Sequence, residues 1–201
     1  APDNQGVIVE NSYIQALVAK YFITKKKNHV IVHELTARRV YSEIIHRSHG
    51  TEIVSRVGSS FIPALMKKNA AWYGSEESGH NYFKEFNYLD SGLMMLVYTL
   101  NLLAHEQKQM STLLRPLDKY VDLGELDYTV DHKDECMQRI KQYFLANKKR
   151  YAVKKIITID GIGVVMPNVW FIVRPSNTEP LLRVRIEGKT KKVIENMRVR
   201  L

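Results

Sequence analysis

Residues 174 to 180, RPSNTEP, place a guanidinium, three small polar side chains and two prolines between two runs of β-branched and apolar residues. Arg174 offers a planar fork of donors matched to two phosphate oxygens, and Ser176, Asn177 and Thr178 add hydroxyl and amide groups beside backbone amides. Such a loop suits a phosphate dianion. Pro175 and Pro180 stiffen it, so less entropy is lost when it orders around a ligand. The same residues also suit a polar hairpin turn in which Ser, Asn and Thr bond their own backbone, and the loop alone does not decide between the two. A second stretch, YGSEESGHNYF at residues 73 to 83, gathers carboxylates, a hydroxyl and an imidazole. Ionised carboxylates such as Glu76 accept hydrogen bonds from vicinal hydroxyls of a sugar, and Ser78 and His80 can donate or accept. Gly74 and Gly79 are expected to give the backbone angles that a close approach to a ligand requires. Taken by itself this stretch also reads as a solvated acidic loop.

Two other groups carry less chemistry. His46 and His49 are three apart on an expected helix, a spacing that can hold a metal, but no carboxylate or third ligand is near them in sequence; they read as an exposed helical pair, and no metal ligands are assigned. The single Cys136 has no base beside it in sequence and reads as a packed helix residue.

The elements that must position these loops follow from periodicity. Ile14, Leu17, Val18, Tyr21 and Phe22 recur at helical spacing, and the apolar run 29–35 suits a buried strand. Residues 38–49 read as a helix ended by Gly50, 51–57 as a strand, 61–69 as a helix and 70–73 as a strand. This alternation implies an α/β domain with a largely parallel or mixed sheet between helices, whose strands end where the 73–83 loop begins. Asp90 can cap a long apolar helix from Ser91 to about His105, which reads as core because Met94, Met95, Leu96, Leu100, Leu102 and Leu103 surround most of its girth. Near residues 115–124 the pattern changes, and a domain boundary is expected there, with domains at 1–118 and 123–201. Beyond it come a strand (125–130), a helix (134–146), a hairpin (156–166), strands at 169–174 and 181–187, and a helix from about Thr190. This order implies a smaller α+β domain with an antiparallel sheet and helices on one face.

Composition is that of an ordinary globular chain: 201 residues, 45% hydrophobic, 25% charged, one cysteine and a formal charge of +9. Neither a disulfide framework, a secretory leader nor a membrane span is read, and a cytoplasmic setting is expected. The positive charge would concentrate any anion. Its densest runs, Lys25 to Lys27 and Lys148 to Arg150, fall at helix ends, where cations complement the dipole. There is no recognised nucleic-acid motif and the aromatics fall at core periodicity, so no nucleic-acid partner is expected.

Together and in this order, AAWYGSEESGHNYFKEFNYLDSGL, IDGIGVVM and WFIVRPSNTEPLLR resemble the α-D-phosphohexomutase family, closest to bacterial phosphomannomutases and phosphomannomutase/phosphoglucomutases, and the likeness runs through nearly the whole chain. The resemblance implies that the first half is similar to the family's third domain and that residues from about 123 are similar to its fourth, truncated at its end. It implies an isomerase-class intramolecular phosphotransferase that interconverts hexose 1-phosphate and hexose 6-phosphate through a phosphoserine and a hexose 1,6-bisphosphate intermediate, with Mg2+ as cofactor. Glu76 and Ser78 match residues that bond the sugar 3- and 4-hydroxyls, and His80 a third contact; Arg174, Ser176, Asn177 and Thr178 match the loop holding the phosphate that is not transferred. Nothing here matches the phosphoserine loop or the aspartate-rich magnesium loop, so no catalytic residue is assigned in this chain. The expectation is a carboxyl-terminal half, inactive alone, whose partners are hexose phosphates and the amino-terminal domains of the same enzyme; a stand-alone sugar-phosphate binding module is the alternative. Ser59 and Leu35 stand where relatives often carry a histidine and a lysine. Mannose is not separated from glucose, because the epimers differ at the 2-hydroxyl.

Overall fold

The computed structural model describes residues 2–176 and 178–201, which divide into two compact units, one up to Lys119 and one from Tyr120.

The first unit holds helices α1 (Asn11–Lys25), α2 (Arg39–Arg47), α3 (Phe61–Lys68), α4 (Gly92–Glu106) and α5 (Met110–Leu114). Its strands are β1 (Val30–Glu34), β2 (Thr51–Ser55), β3 (Tyr73–Ser75), β4 (Asn81–Phe83) and β5 (Leu89–Asp90), paired in the order β2-β1-β3-β4-β5. The first three are parallel, as helical crossovers demand, and β4 and β5 return antiparallel, so the sheet is mixed. Alternation along the strands divides the core in two. Ile31, Tyr73 and Phe83 face α1, α2 and α4 in a cluster centred on Phe22 and Tyr41, whereas Val32 and Tyr82 face α3 through Ile62 and Met66.

Four expectations change here. The strand placed at 70–73 lies at Tyr73–Ser75, because Ala70 takes a left-handed turn at φ 53° and the chain extends only afterwards. The cap of α4 is Ser91, whose hydroxyl accepts from the Met94 amide, while Asp90 sits in β5 with its carboxylate turned to β4. Nor is α4 buried on all sides: only Thr99 and Leu102 of this helix are buried, and Leu93, Leu96, Val97 and Leu100 face outward. Gly74 needs no special backbone angle; a Cβ there would lie 2.6 Å from Met66 Sδ, so the glycine lets α3 close on the sheet.

The second unit is an antiparallel sheet in the order β6-β10-β9-β8-β7, made of β6 (Val121–Thr129), β7 (Lys155–Ile157), β8 (Ile162–Val165), β9 (Val169–Pro175) and β10 (Leu181–Gly188). Helices α6 (Lys133–Ala146) and α8 (Lys191–Arg198) bring Phe144, Ile194 and Met197 onto one face, against Val164, Phe171, Val173, Val184 and Ile186. Lys148 to Arg150 belong to a further short helix, α7 (Lys148–Tyr151), rather than to the end of α6. Thr190 caps α8 by accepting from the Val193 amide.

Candidate functional site

In the first unit the residues 76–80 join the end of β3 to β4, beside the carboxyl ends of the parallel strands β1 and β2, the place where open α/β sheets present ligands. The loop is held from several sides. Its ends close on each other through the Glu76 amide and the His80 carbonyl at 2.9 Å, and Gly79 turns the chain at φ 104°. Gln15 on α1 donates to the Glu76 carbonyl at 2.8 Å, and Ser12 donates to the Glu77 carboxylate at 2.5 Å. From the end of β1, Glu34 accepts from the Glu77 amide at 2.6 Å and from the Thr36 hydroxyl at 2.6 Å. Burial pushes the Glu34 carboxyl above its ordinary range, against those hydrogen bonds and with the help of the neighbouring carboxylates of Glu76 and Glu77.

The assigned side chains are presented differently. Glu76 is buried and accepts from the Tyr82 hydroxyl, which burial and that carboxylate together push above its usual range. Ser78 is exposed at the loop's tip and His80 at its end. His80 Nδ1 lies 2.7 Å from Asp90, and that hydrogen bond raises the imidazole above its usual value. The other oxygen of Asp90 accepts from the Asn81 amide at 2.8 Å, so one β5 carboxylate orients the histidine and fixes the strand after it. Leu35 is buried apolar surface and Ser59 is exposed between β2 and α3.

In the second unit the phosphate-loop candidates connect β9 to β10. Asn177 lies outside the described residues. Arg174, the penultimate residue of β9, donates from one terminal nitrogen to Asp160 at 3.2 Å, and its Nε is buried with no hydrogen-bond partner among the described residues. Asp160 sits in the turn between β7 and β8, where Gly161 at φ 118° lets the chain lie against β9; a Cβ there would stand 2.3 Å from the Val173 carbonyl and 2.8 Å from Arg174 Cγ. Ser176 is buried and its hydroxyl oxygen accepts from the amides of Thr178 and Glu179 at 3.4 and 3.2 Å, the self-bonding of a polar turn, which leaves its proton to donate. Thr178 is exposed. The Lys133 ammonium donates to the carbonyls of Ser176 and Glu179 at 2.7 and 2.9 Å, clasping the loop from the first turn of α6. Arg183 pairs with Glu125 and Glu179, both at 3.5 Å.

Glu34, Gln15, Tyr82, Asp90, Lys133 and Asp160 are therefore the supports of the two loops; from sequence Asp90 was read only as a helix cap, and the others were given no role of their own. Three of them, Tyr82, Asp90 and Asp160, lie in stretches already quoted for their family likeness. His46 finds a carboxylate after all, Glu52 of β2 at 3.3 Å, but Glu52 is bonded more closely to His33, at 2.8 Å, on the sheet face under α2. Among the described residues no three His, Cys, Asp or Glu side chains group to hold a metal ion.

The model of the phosphoglucomutase/phosphomannomutase alpha/beta/alpha domain III matches residues 10–120, and that of the same family's C-terminal domain matches residues 130–201. The chain belongs to the phosphoglucomutase/phosphomannomutase family. It is the family's carboxyl-terminal half, carrying domain III and the C-terminal domain. A phosphomannomutase of Methanocaldococcus jannaschii is 36% identical over 193 residues, which cover 96% of this chain and 41% of that protein. A phosphomannomutase of Escherichia coli K12 is 30% identical over 188 residues, or 93% of this chain and 40% of that protein. The chain thus spans about 40% of the length of the curated relatives it matches. A phosphoglucomutase/phosphomannomutase family protein from Burkholderia thailandensis shares the fold, with a TM-score of 0.80 at 24% identity over 96% of this chain and 40% of that one. Among the described residues no helix is long and apolar enough to cross a membrane.

Proposed function

We infer that this chain is the sugar- and phosphate-binding part of a phosphomannomutase/phosphoglucomutase. In the first unit, Glu76, Ser78 and His80 accept and donate hydrogen bonds to the hexose hydroxyls; in the second, Arg174, Ser176, Asn177 and Thr178 hold the phosphate that is not transferred. The observation that carries this reading is Arg174. Its stem is fixed by Gly161 and Asp160, its Nε lacks a partner among the described residues, and the loop beside it is clasped by an ammonium. A guanidinium held in this way costs desolvation and is recovered when a doubly charged oxyanion supplies the missing acceptor.

Phosphoryl transfer depends mainly on positioning and on charge stabilisation. These residues supply positioning: the loops fix the hydroxyls and one phosphate, while the phosphoserine, and Mg2+ where it is used, belong to the rest of the parent enzyme. The isolated chain is accordingly inactive as a mutase, and it works with hexose phosphates in a cytoplasmic enzyme. Calorimetry with mannose 1-phosphate and glucose 1-phosphate tests the binding role. Wild type should bind at least one of them and Arg174→Ala at least about tenfold more weakly, the loss of a charge-assisted pair; equal affinities would refute the assignment. Mutase turnover by the 201-residue chain alone, with a hexose 1,6-bisphosphate activator, would refute its incapacity.

A further inference from the structure

Arg174, Arg183 and Lys133 reach the loop between β9 and β10 from three different elements, and their charges are not equally free. Arg174 on β9 is paired with Asp160 at 3.2 Å. Arg183 on β10 lies 3.5 Å from both Glu125 and Glu179. Lys133, in the first turn of α6, forms no ion pair among the described residues; its ammonium donates to the main-chain carbonyls of Ser176 and Glu179 at 2.7 and 2.9 Å. A guanidinium beside a carboxylate presents little net charge to a third group, so the two arginines bring directed N–H donors more than field. Carbonyl dipoles solvate an ammonium without cancelling its unit charge, and the part-buried position of Lys133 leaves that charge less screened by water than on an open surface. Its place matters as well. Ser176 and Glu179 flank the turn, so one ammonium bonded to both ties its two sides together, and two occupied carbonyl oxygens cannot swing toward a bound anion and repel it.

We propose that Lys133 is a positioning residue of this loop and supplies the unneutralised charge that makes it prefer a phosphate dianion to a singly charged ester of the same shape. The proposal rests on the reading of the loop as a phosphate site. It puts a determinant of which anion is accepted on α6, outside the RPSNTEP stretch that carries the donors.

The test compares glucose 6-phosphate, close to doubly charged at pH 8, with glucose 6-sulfate, which carries three terminal oxygens of similar geometry and one charge. Both are titrated calorimetrically into the 201-residue chain at low ionic strength. A fixed charge attracts a dianion twice as strongly as a monoanion, so its loss counts twice on a logarithmic scale. Lys133→Met should therefore weaken the phosphate by about tenfold and the sulfate by about threefold. Lys133→Gln, which keeps a donor for a carbonyl but has no charge, should show the same unequal loss, and Lys133→Arg should return the phosphate to within about threefold of wild type. Equal losses for the two esters would reduce Lys133 to a structural tie and overturn the proposal, as would unchanged affinities or an Arg variant no better than Met. Arg174→Ala separates the two levels of the argument. If Arg174→Ala binds more weakly and Lys133→Met does not, only the role of Lys133 falls; if wild type fails to bind at millimolar ligand, or Arg174→Ala binds as well as wild type, the phosphate reading falls and this proposal with it.

Discussion

Glu52 offers a perturbation whose size can be worked from the structure. Its carboxylate lies on the sheet face under α2, where burial alone would raise its pKa, but hydrogen bonds from His33 and Ser42, with the charge of His33, hold it at about 2 against an ordinary 4.5. A carboxyl depressed on folding adds stability that is complete above the unfolded value and is lost as pH falls through the folded one. At about 1.4 kcal/mol for each tenfold change in proton affinity, the whole effect is about 3 kcal/mol, and about 2 kcal/mol of it should be gone by pH 3. The assay is urea unfolding followed by fluorescence in a Trp170→Phe background, where Trp72 becomes the only tryptophan and reports the first unit alone. Glu52→Gln carries no titrating group, so wild type should exceed it most at pH 6, and that excess should shrink by about 2 kcal/mol by pH 3. An excess that stayed constant across this range, or grew, would refute the reasoning.

Other outcomes follow from single contacts. Gly161→Ala puts a Cβ against the Val173 carbonyl at a left-handed backbone angle, and should destabilise the second unit by about 2 kcal/mol or more, read by Trp170 fluorescence. Ser91→Ala removes the cap of α4 and should cost the first unit about 1 kcal/mol in urea unfolding. Lys133→Met releases two carbonyls and should speed amide hydrogen exchange at Thr178 and Glu179 before any ligand is added, with Lys133→Arg restoring protection.

Much of the fold was legible because burial writes a period into the chain. The run Val30 to Glu34 suited a buried strand and is one, and the spacing of Ile14 to Phe22 suited a helix, although α1 is buried over more of its girth than that stripe, with Gln15, Ala16 and Ala19 also covered. Where the period is uninformative the reading slipped. Helix α4 is apolar nearly all round, so its sequence could not say which side meets the core and which is left outside. Asp90 and Ser91 are both good caps; the choice was settled by Asn81 and His80 in β4 and the loop before it, which take the aspartate for themselves. The two ligand loops were visible as concentrations of polar residues, but their supports were not. Glu34 reaches a residue 43 positions away and Lys133 reaches one equally distant, and no local pattern records which distant partner a charged side chain will find.

The central claim is that the Arg174 loop holds a phosphate. Nitrogen-15 spectra of the chain titrated with mannose 1-phosphate test it most directly, through the side-chain Nε–H of Arg174 and the backbone amides of Ser176 and Thr178. All three should shift with the sugar phosphate and stay in place with unphosphorylated mannose. If the three signals did not move at millimolar ligand in a chain that keeps its folded spectrum, the account would be contradicted.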